Sequence, residues 1–203
     1  NASPRWCADS RLSYLGYFRH IPHTPMRQAL TSLFVVLAIA ASSQPQSGQG
    51  TFTDPDGIVY SGEFKEGKLN GEGSITYPGG IRMFGTFENN KINGWGTQIF
   101  PGLSTHIGEW KEGVEHGQGL TTGKDGSYLG DWIDGEKTGQ ARIVYFNGLR
   151  YVGEVLNGRF NGKGVMTFKG ATYVGDFRDG KFNGTGVFTD ADGKVSISKF
   201  KED

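Results

Sequence analysis

Cysteine is almost missing from this 203-residue chain, and the single thiol, Cys7, lies outside the patterned region. A disulfide framework and a cysteine-based zinc site are therefore excluded within one chain. Net charge is zero, which gives no electrostatic reason to expect a nucleic-acid partner. Histidine is scarce as well. Only His106 and His116 fall in the patterned region, one in a strand slot and one near a turn. They do not converge on one metal, and no acid–His–Ser grouping accompanies them. No catalytic residue, metal or cofactor is expected.

Long apolar runs and acidic residues are lacking at the N-terminus. Residues 1–53 contain one acid (Asp9), four arginines and no lysine. The run "LTSLFVVLAIAA", residues 30–41, falls short of the ~20 residues of a spanning helix. It follows Met26-Arg27, and Ala38-Ile39-Ala40 offers a small-residue cleavage site. A positive flank, a short apolar core and an A-x-A site read as a secretory signal peptide. Residues 26–46 are therefore assigned to a signal peptide and linker starting at Met26. Residues 1–25 are assigned to upstream, non-native sequence or a presequence. The expected destination is the secretory pathway. Alternatives are an organelle transit peptide, which Arg5, Arg11 and Arg19 fit, and a short membrane anchor.

Glycine, in contrast, is abundant. It supplies 34 residues, yet aromatics make up 13% of the chain, which excludes a disordered glycine linker. The glycines repeat. Gly62, Gly85, Gly108, Gly130, Gly153 and Gly175 are spaced by 23, 23, 22, 23 and 22 residues. Two residues before them stand Tyr60, Met83, His106, Tyr128, Tyr151 and Tyr173; two after stand Phe64, Phe87, Trp110, Trp132, Val155 and Phe177. A turn residue follows in each unit (Gly67, Asn90, Gly113, Gly135, Gly158, Gly180), then a Gly-x-Gly pair such as Gly71/Gly73 or Gly162/Gly164. The fourth unit departs, with Gly139 and Ala141. Half a unit precedes the first and half follows the last, so the array covers residues 47–203.

Tyr-x-Gly-x-aromatic alternates with polar residues and places ring, glycine and ring on one face of a strand. Glycine or asparagine then supplies a turn with positive φ. A second strand returns with Gly73, Ile75 and Tyr77 on one face. Two strands per unit predict an all-β fold, an elongated single-layer antiparallel meander of about six hairpin units and roughly a dozen strands. Strand glycine costs about 0.5–1 kcal/mol relative to alanine, so something offsets it. Rings lying flat across bare glycine backbone would do so. The opposite face is mixed, with acids after the glycine (Glu63, Glu109, Asp131, Glu154, Asp176) and apolar residues before it (Phe84, Ile107, Leu129, Val152, Val174).

These residues resemble the MORN (membrane occupation and recognition nexus) repeat, whose unit reads approximately Tyr-x-Gly-x-Trp/Phe-x-x-Gly-x-x-x-Gly-x-Gly. Met83 and His106 depart from the leading tyrosine, Asn90 from the turn glycine, Ala141 from a strand glycine and Val155 from the second aromatic. The resemblance implies a non-enzymatic scaffold that docks a partner helix or peptide in an aromatic groove, with dimers in some members. The groove residues expected to carry it are Tyr60, Phe64, Phe87, Trp110, Tyr128, Trp132, Tyr151, Tyr173 and Phe177. Their alternative role is purely structural.

Similar arrays are attached to phosphatidylinositol phosphate kinases, so a regulatory fragment of a larger enzyme is one alternative function. Anionic phospholipid binding is another. Residues 47–139 hold 7 basic and 13 acidic residues, net −6, and residues 140–203 hold 10 and 7, net +3. A lipid site would thus use Arg142, Arg150, Arg159, Lys163, Lys169, Arg178 and Lys181, most of which strand parity places off the aromatic face or at turns. The oppositely charged halves also suggest a homodimer.

Overall fold

The computed structural model describes residues 44–200. The assignments for residues 1–25, and nearly all of that for 26–46, lie outside the described residues. No helix among the described residues is long and apolar enough to cross a membrane.

Fourteen strands form one antiparallel sheet in simple sequence order. They are β1 (Ser47–Thr53), β2 (Val59–Lys65), β3 (Lys68–Thr76), β4 (Arg82–Glu88), β5 (Lys91–Phe100), β6 (Ser104–Lys111) and β7 (Val114–Gly123). The series continues with β8 (Gly126–Ile133), β9 (Glu136–Tyr145), β10 (Arg150–Leu156), β11 (Arg159–Phe168), β12 (Ala171–Arg178), β13 (Lys181–Thr189) and β14 (Val195–Phe200). The all-β meander expected from the repeat is thus present, with two strands more than a dozen because both half units contribute.

Register follows from the glycines. Gly50, Gly62, Gly73, Gly85, Gly96, Gly108, Gly119, Gly130, Ala141, Gly153, Gly164 and Gly175 face one another in turn across β1 to β12. This row crosses the sheet at right angles to the strands. Glycine is needed there because neighbouring backbones come close: a Cβ on Gly62 would lie 2.5 Å from the Gly73 Cα.

Within each unit the hairpin turn uses two residues with positive φ, such as Glu66 (52°) with Gly67 (74°), or Asn89 (50°) with Asn90 (66°). Paired left-handed residues define a type I′ turn, whose twist matches that of the strands it joins. The turn amide then donates back to the preceding hairpin: Gly113 N to Ile92 O and Gly158 N to Lys137 O, both at 2.9 Å.

A bulge follows the row position in the first five units, and in the sixth Gly175 itself lies within the bulge, between Val174↔Val187 and Asp176↔Asn183. Between Gly62↔Gly73 and Phe64↔Leu69, one residue of β2 faces three of β3. The displaced amides need acceptors, and the acid after the first glycine supplies one. Gln118 N donates to Glu109 Oε1 at 3.2 Å, Gln140 N to Asp131 Oδ2 at 2.6 Å, and Lys163 N to Glu154 Oε1 at 3.2 Å. In these three units the acid therefore holds the bulged backbone as well as carrying surface charge.

The face opposite the rings carries its own row in register: Phe84, Thr97, Ile107, Leu120, Leu129, Arg142, Val152, Val165, Val174, Val187 and Ile197. Most of its apolar members are exposed, Ile197 to 76%.

Candidate functional site

The aromatic face is built around the glycine row. In the C-terminal units the Tyr151 ring stacks on Phe160 at 4.0 Å and meets the Phe177 edge at 5.1 Å. Tyr173 lies 4.0 Å from Phe182. A Cβ on Gly164 would lie 2.5 Å from the Tyr151 hydroxyl oxygen and 2.6 Å from its Cε2. The ring therefore occupies the room that glycine leaves.

Tyr128, Tyr151 and Tyr173 also span their own glycines, and each hydroxyl donates to a main-chain carbonyl three residues on. The distances are 2.7 Å for Tyr128 to Asp131 O, 2.7 Å for Tyr151 to Glu154 O and 3.2 Å for Tyr173 to Asp176 O. Burial first, and the nearby acid second, raise the pKa of the Tyr128 and Tyr151 hydroxyls well above the usual phenol range. They act as neutral donors.

Rings do not fill the space everywhere. In the first two units aliphatic side chains do so: a Cβ on Gly73 would lie 2.9 Å from Leu69 Cδ1. Leu69, Ile75, Met83 and Ile92 join Phe64, Phe87 and Trp110 in one buried cluster. The expected covering of glycine backbone by rings is therefore confined to the later units.

The centre of the face is polar. His106 takes the tyrosine slot, with its ring edge-on between Trp110 (5.1 Å) and Trp132 (4.8 Å) and its Nδ1 2.9 Å from Thr121 Oγ1. Burial, with a smaller contribution from the Lys137 charge, lowers its pKa to about 4, so the imidazole is neutral at pH 7. His106 Nε2 and Trp132 Nε1 are buried without a hydrogen-bond partner. Lys137 lies over the Tyr128 and Trp132 rings, at 4.7 and 5.2 Å. Burial lowers its pKa to about 8, against an opposing pull from Glu115.

Of the nine residues expected to line the groove, Phe64, Phe87, Trp110, Tyr128, Trp132, Tyr151, Tyr173 and Phe177 are buried. Tyr151 and Tyr173 are 0% exposed and present no surface to a partner in this structure. Tyr60 is half-buried, and its hydroxyl lies 3.4 Å from Asp54 Oδ2. The structure brings these residues together as a floor. More accessible is a rim contributed by the far ends of the second strands: Tyr77, Phe100, Tyr145 and Phe168, all half-buried. In the third unit Gly123 stands in that slot.

The seven cations Arg142, Arg150, Arg159, Lys163, Lys169, Arg178 and Lys181 are all exposed, as strand parity requires. Arg142 stands in the outward row, between Leu129 and Val152. Lys169 sits in a turn, with φ of 49°. Arg159 Nη1 approaches Asp179 Oδ1 at 3.8 Å.

Sequence reasoning passed over Leu69, Ile92, Phe160 and Phe182, which occupy one slot of the unit. Lys137 and Glu115 hold that slot in the centre. The available signal was position, since each stands four residues before the second glycine of its Gly-x-Gly pair or the equivalent residue.

A MORN-repeat family model matches residues 46–59, 60–82, 84–105, 106–128, 128–150, 151–170 and 173–195. The first of these segments is the leading half unit, which makes seven repeats where six complete units are apparent by eye. No curated protein matches the chain in sequence. Among solved structures, the chain is similar to the SAS-4 (dCPAP) TCP domain of Drosophila melanogaster in complex with a proline-rich motif of Ana2. That match has 9% identity and a TM-score of 0.49, covering 87% of this chain and 100% of that one. A variant TCP10 domain of Danio rerio CPAP is also similar, with 17% identity, a TM-score of 0.38, and coverage of 75% and 82%. The glycine row, the Tyr-x-Gly-x-aromatic strands and the matched segments, which span most of the sequence, have one consequence: the chain belongs to the MORN-repeat family.

Proposed function

We propose that the protein is a non-enzymatic scaffold that docks a helical segment of a partner protein along the rim of its aromatic face. The observation that carries this reading is the recurrence of a half-buried ring at one slot in four of the six hairpins, at Tyr77, Phe100, Tyr145 and Phe168. Hairpins repeat every ~10 Å, two strand spacings. A helix laid across the strands presents residues i and i+7 every ~10.5 Å, which suits that period. The buried tyrosines, phenylalanines and tryptophans beneath would hold the rim rings at fixed positions, so little side-chain entropy remains to be lost on docking. At the centre the missing ring at Gly123 and the polar pair Glu115 and Lys137 would favour a partner with a polar residue at that level.

A displayed library of 20-residue helical segments, selected against the full chain, tests this reading. Selected segments should bind at least 10-fold more weakly to a Tyr145→Ala/Phe168→Ala chain that still shows a folded β spectrum. Segments that bind this variant unchanged, or whose footprint falls on the opposite face, would sink the proposal.

A further inference from the structure

One slot of the repeat reads Asn70-Gly-Glu72, Asn93-Gly-Trp95, His116-Gly-Gln118, Thr138-Gly-Gln140, Asn161-Gly-Lys163 and Asn183-Gly-Thr185 in successive units. Only the last combines an asparagine with a hydroxyl two residues on. Asn-x-Ser/Thr, with x other than proline, is the acceptor sequence for N-linked sugar. Asn1-Ala2-Ser3 has the same form but lies outside the described residues.

The fold turns this triplet outward. Phe182 pairs with Phe177 on the ring face, so Asn183, paired with Asp176, and Thr185, paired with Lys199, point to the opposite side. Thr185 is exposed and Asn183 half-buried. The Tyr173 hydroxyl approaches Asn183 through its main-chain carbonyl, at 3.5 Å. In the same slot Asn93 and Asn161 use Oδ1 to accept backbone amides, Glu112 N at 3.3 Å and Gly162 N at 3.0 Å. A sugar replaces one hydrogen of Nδ2 and leaves Oδ1 an acceptor. Modification is thus compatible with the structural use of this slot.

That side of the sheet also has something to cover. Val174 (48% exposed), Val187 (40%) and Ile197 (76%) form its apolar row over β12 to β14. Exposed apolar side chains collected on one face are an aggregation hazard unless something lies over them. Val187 stands four residues from Asn183 along β13, ~13 Å, within reach of an oligosaccharide of several sugars.

We propose that Asn183 is an acceptor for an N-linked oligosaccharide, which covers this apolar row. The proposal rests on the secretory destination read from residues 26–46, and the sugar leaves the ring face open. The donor is a lipid diphosphate-linked oligosaccharide. Nδ2 forms a bond to the sugar C1 as the C1–O bond breaks; the lipid diphosphate leaves with the electron pair, and one Nδ2 proton is released. The Thr185 hydroxyl is the group the transferase reads, in the chain before it folds.

Translation of the full chain with and without endoplasmic-reticulum microsomes reads the modification. With microsomes, the chain should gain one endoglycosidase-sensitive glycan at Asn183. Asn183→Gln and Thr185→Ala should each abolish it, whereas Thr185→Ser and Asn1→Gln should retain it. If the chain is not modified, the same chain carrying an added leader ahead of Asn1 separates the two causes. A glycan on Asn183 in that chain upholds the acceptor and overturns the secretory destination; no glycan there overturns the acceptor. The covering role has its own readout. Treatment of the folded, glycosylated chain with peptide-N-glycosidase should raise its binding of an apolar fluorescent dye several-fold, and equal binding before and after overturns that role.

Discussion

In the hairpins of β10 to β13, the glycine row is covered by Tyr151, Phe160, Tyr173 and Phe182, rings in direct contact with one another or with Phe177. In the hairpins of β6 to β9 the covering side chains include His106, Trp132 and Lys137, and three buried ring nitrogens, on His106, His116 and Trp132, lack hydrogen-bond partners. Strand pairing is nonetheless alike in both regions: Gly108 faces Gly119 and Gly153 faces Gly164, and a bulge follows each pair. The backbone plan is thus set by the glycines, turns and bulge acids. What lies on top is exchangeable, provided that it fills the same volume, and the central region has exchanged apolar filling for polar chemistry.

That comparison can be broken first at the glycine. Gly164→Ala would press a Cβ against the Tyr151 ring, which is fully buried and cannot swing aside. Overpacking of this kind should cost about 3 kcal/mol, read as a lower urea midpoint. An unchanged midpoint would mean that the ring has room, and that the glycine row is not what fixes the layer.

The second test concerns His106. Its folded pKa, about 4, lies below the ordinary value of 6.5, so the fold disfavours the protonated ring. Stability is fully present above pH 6.5 and is lost as pH falls toward 4. The loss is about 3 kcal/mol in all. His106→Tyr restores the repeat's usual residue and should flatten stability between pH 7 and 4.5. Equal pH slopes in the two proteins would place the acid sensitivity elsewhere.

The smallest effect is expected at Lys137, where Phe160 or Leu69 marks the equivalent slot. With its pKa lowered to about 8, the buried ammonium is held at a cost at neutral pH, and that cost is relieved as pH rises from 8 toward 10.5. Allowing for partial solvent screening, Lys137→Phe should stabilise by about 2 kcal/mol at pH 7. It should also weaken any partner that reads the polar centre. Loss of stability instead would show that the contacts to Tyr128 and Trp132 outweigh the burial cost.

Much of this architecture was legible because it depends on strict periodicity. Glycine at fixed spacing gave the strands, their faces, the left-handed turns and the outward placement of the cations. The burial of the rings was not legible. Parity assigns a residue to a face, but it cannot tell an open groove from one already filled by neighbours such as Leu69, Ile92 and Phe160. That slot escaped the motif because Leu, Ile, Glu, Lys and Phe all occupy it, so it carries volume rather than identity. The bulge acids were visible but misread, since Glu109 or Glu154 looks like any surface carboxylate until the displaced amide it accepts is located.

The unbroken registration of glycine against glycine also restricts how such a gene can change. A single-codon deletion inside a strand would transfer every later side chain of that strand to the wrong side, rings outward and valines inward. A deletion or duplication of a whole hairpin, 22 or 23 codons, would leave every surviving neighbour in phase. Selection acting on this chain therefore tolerates length in discrete increments, and the length of the array behaves as an integer.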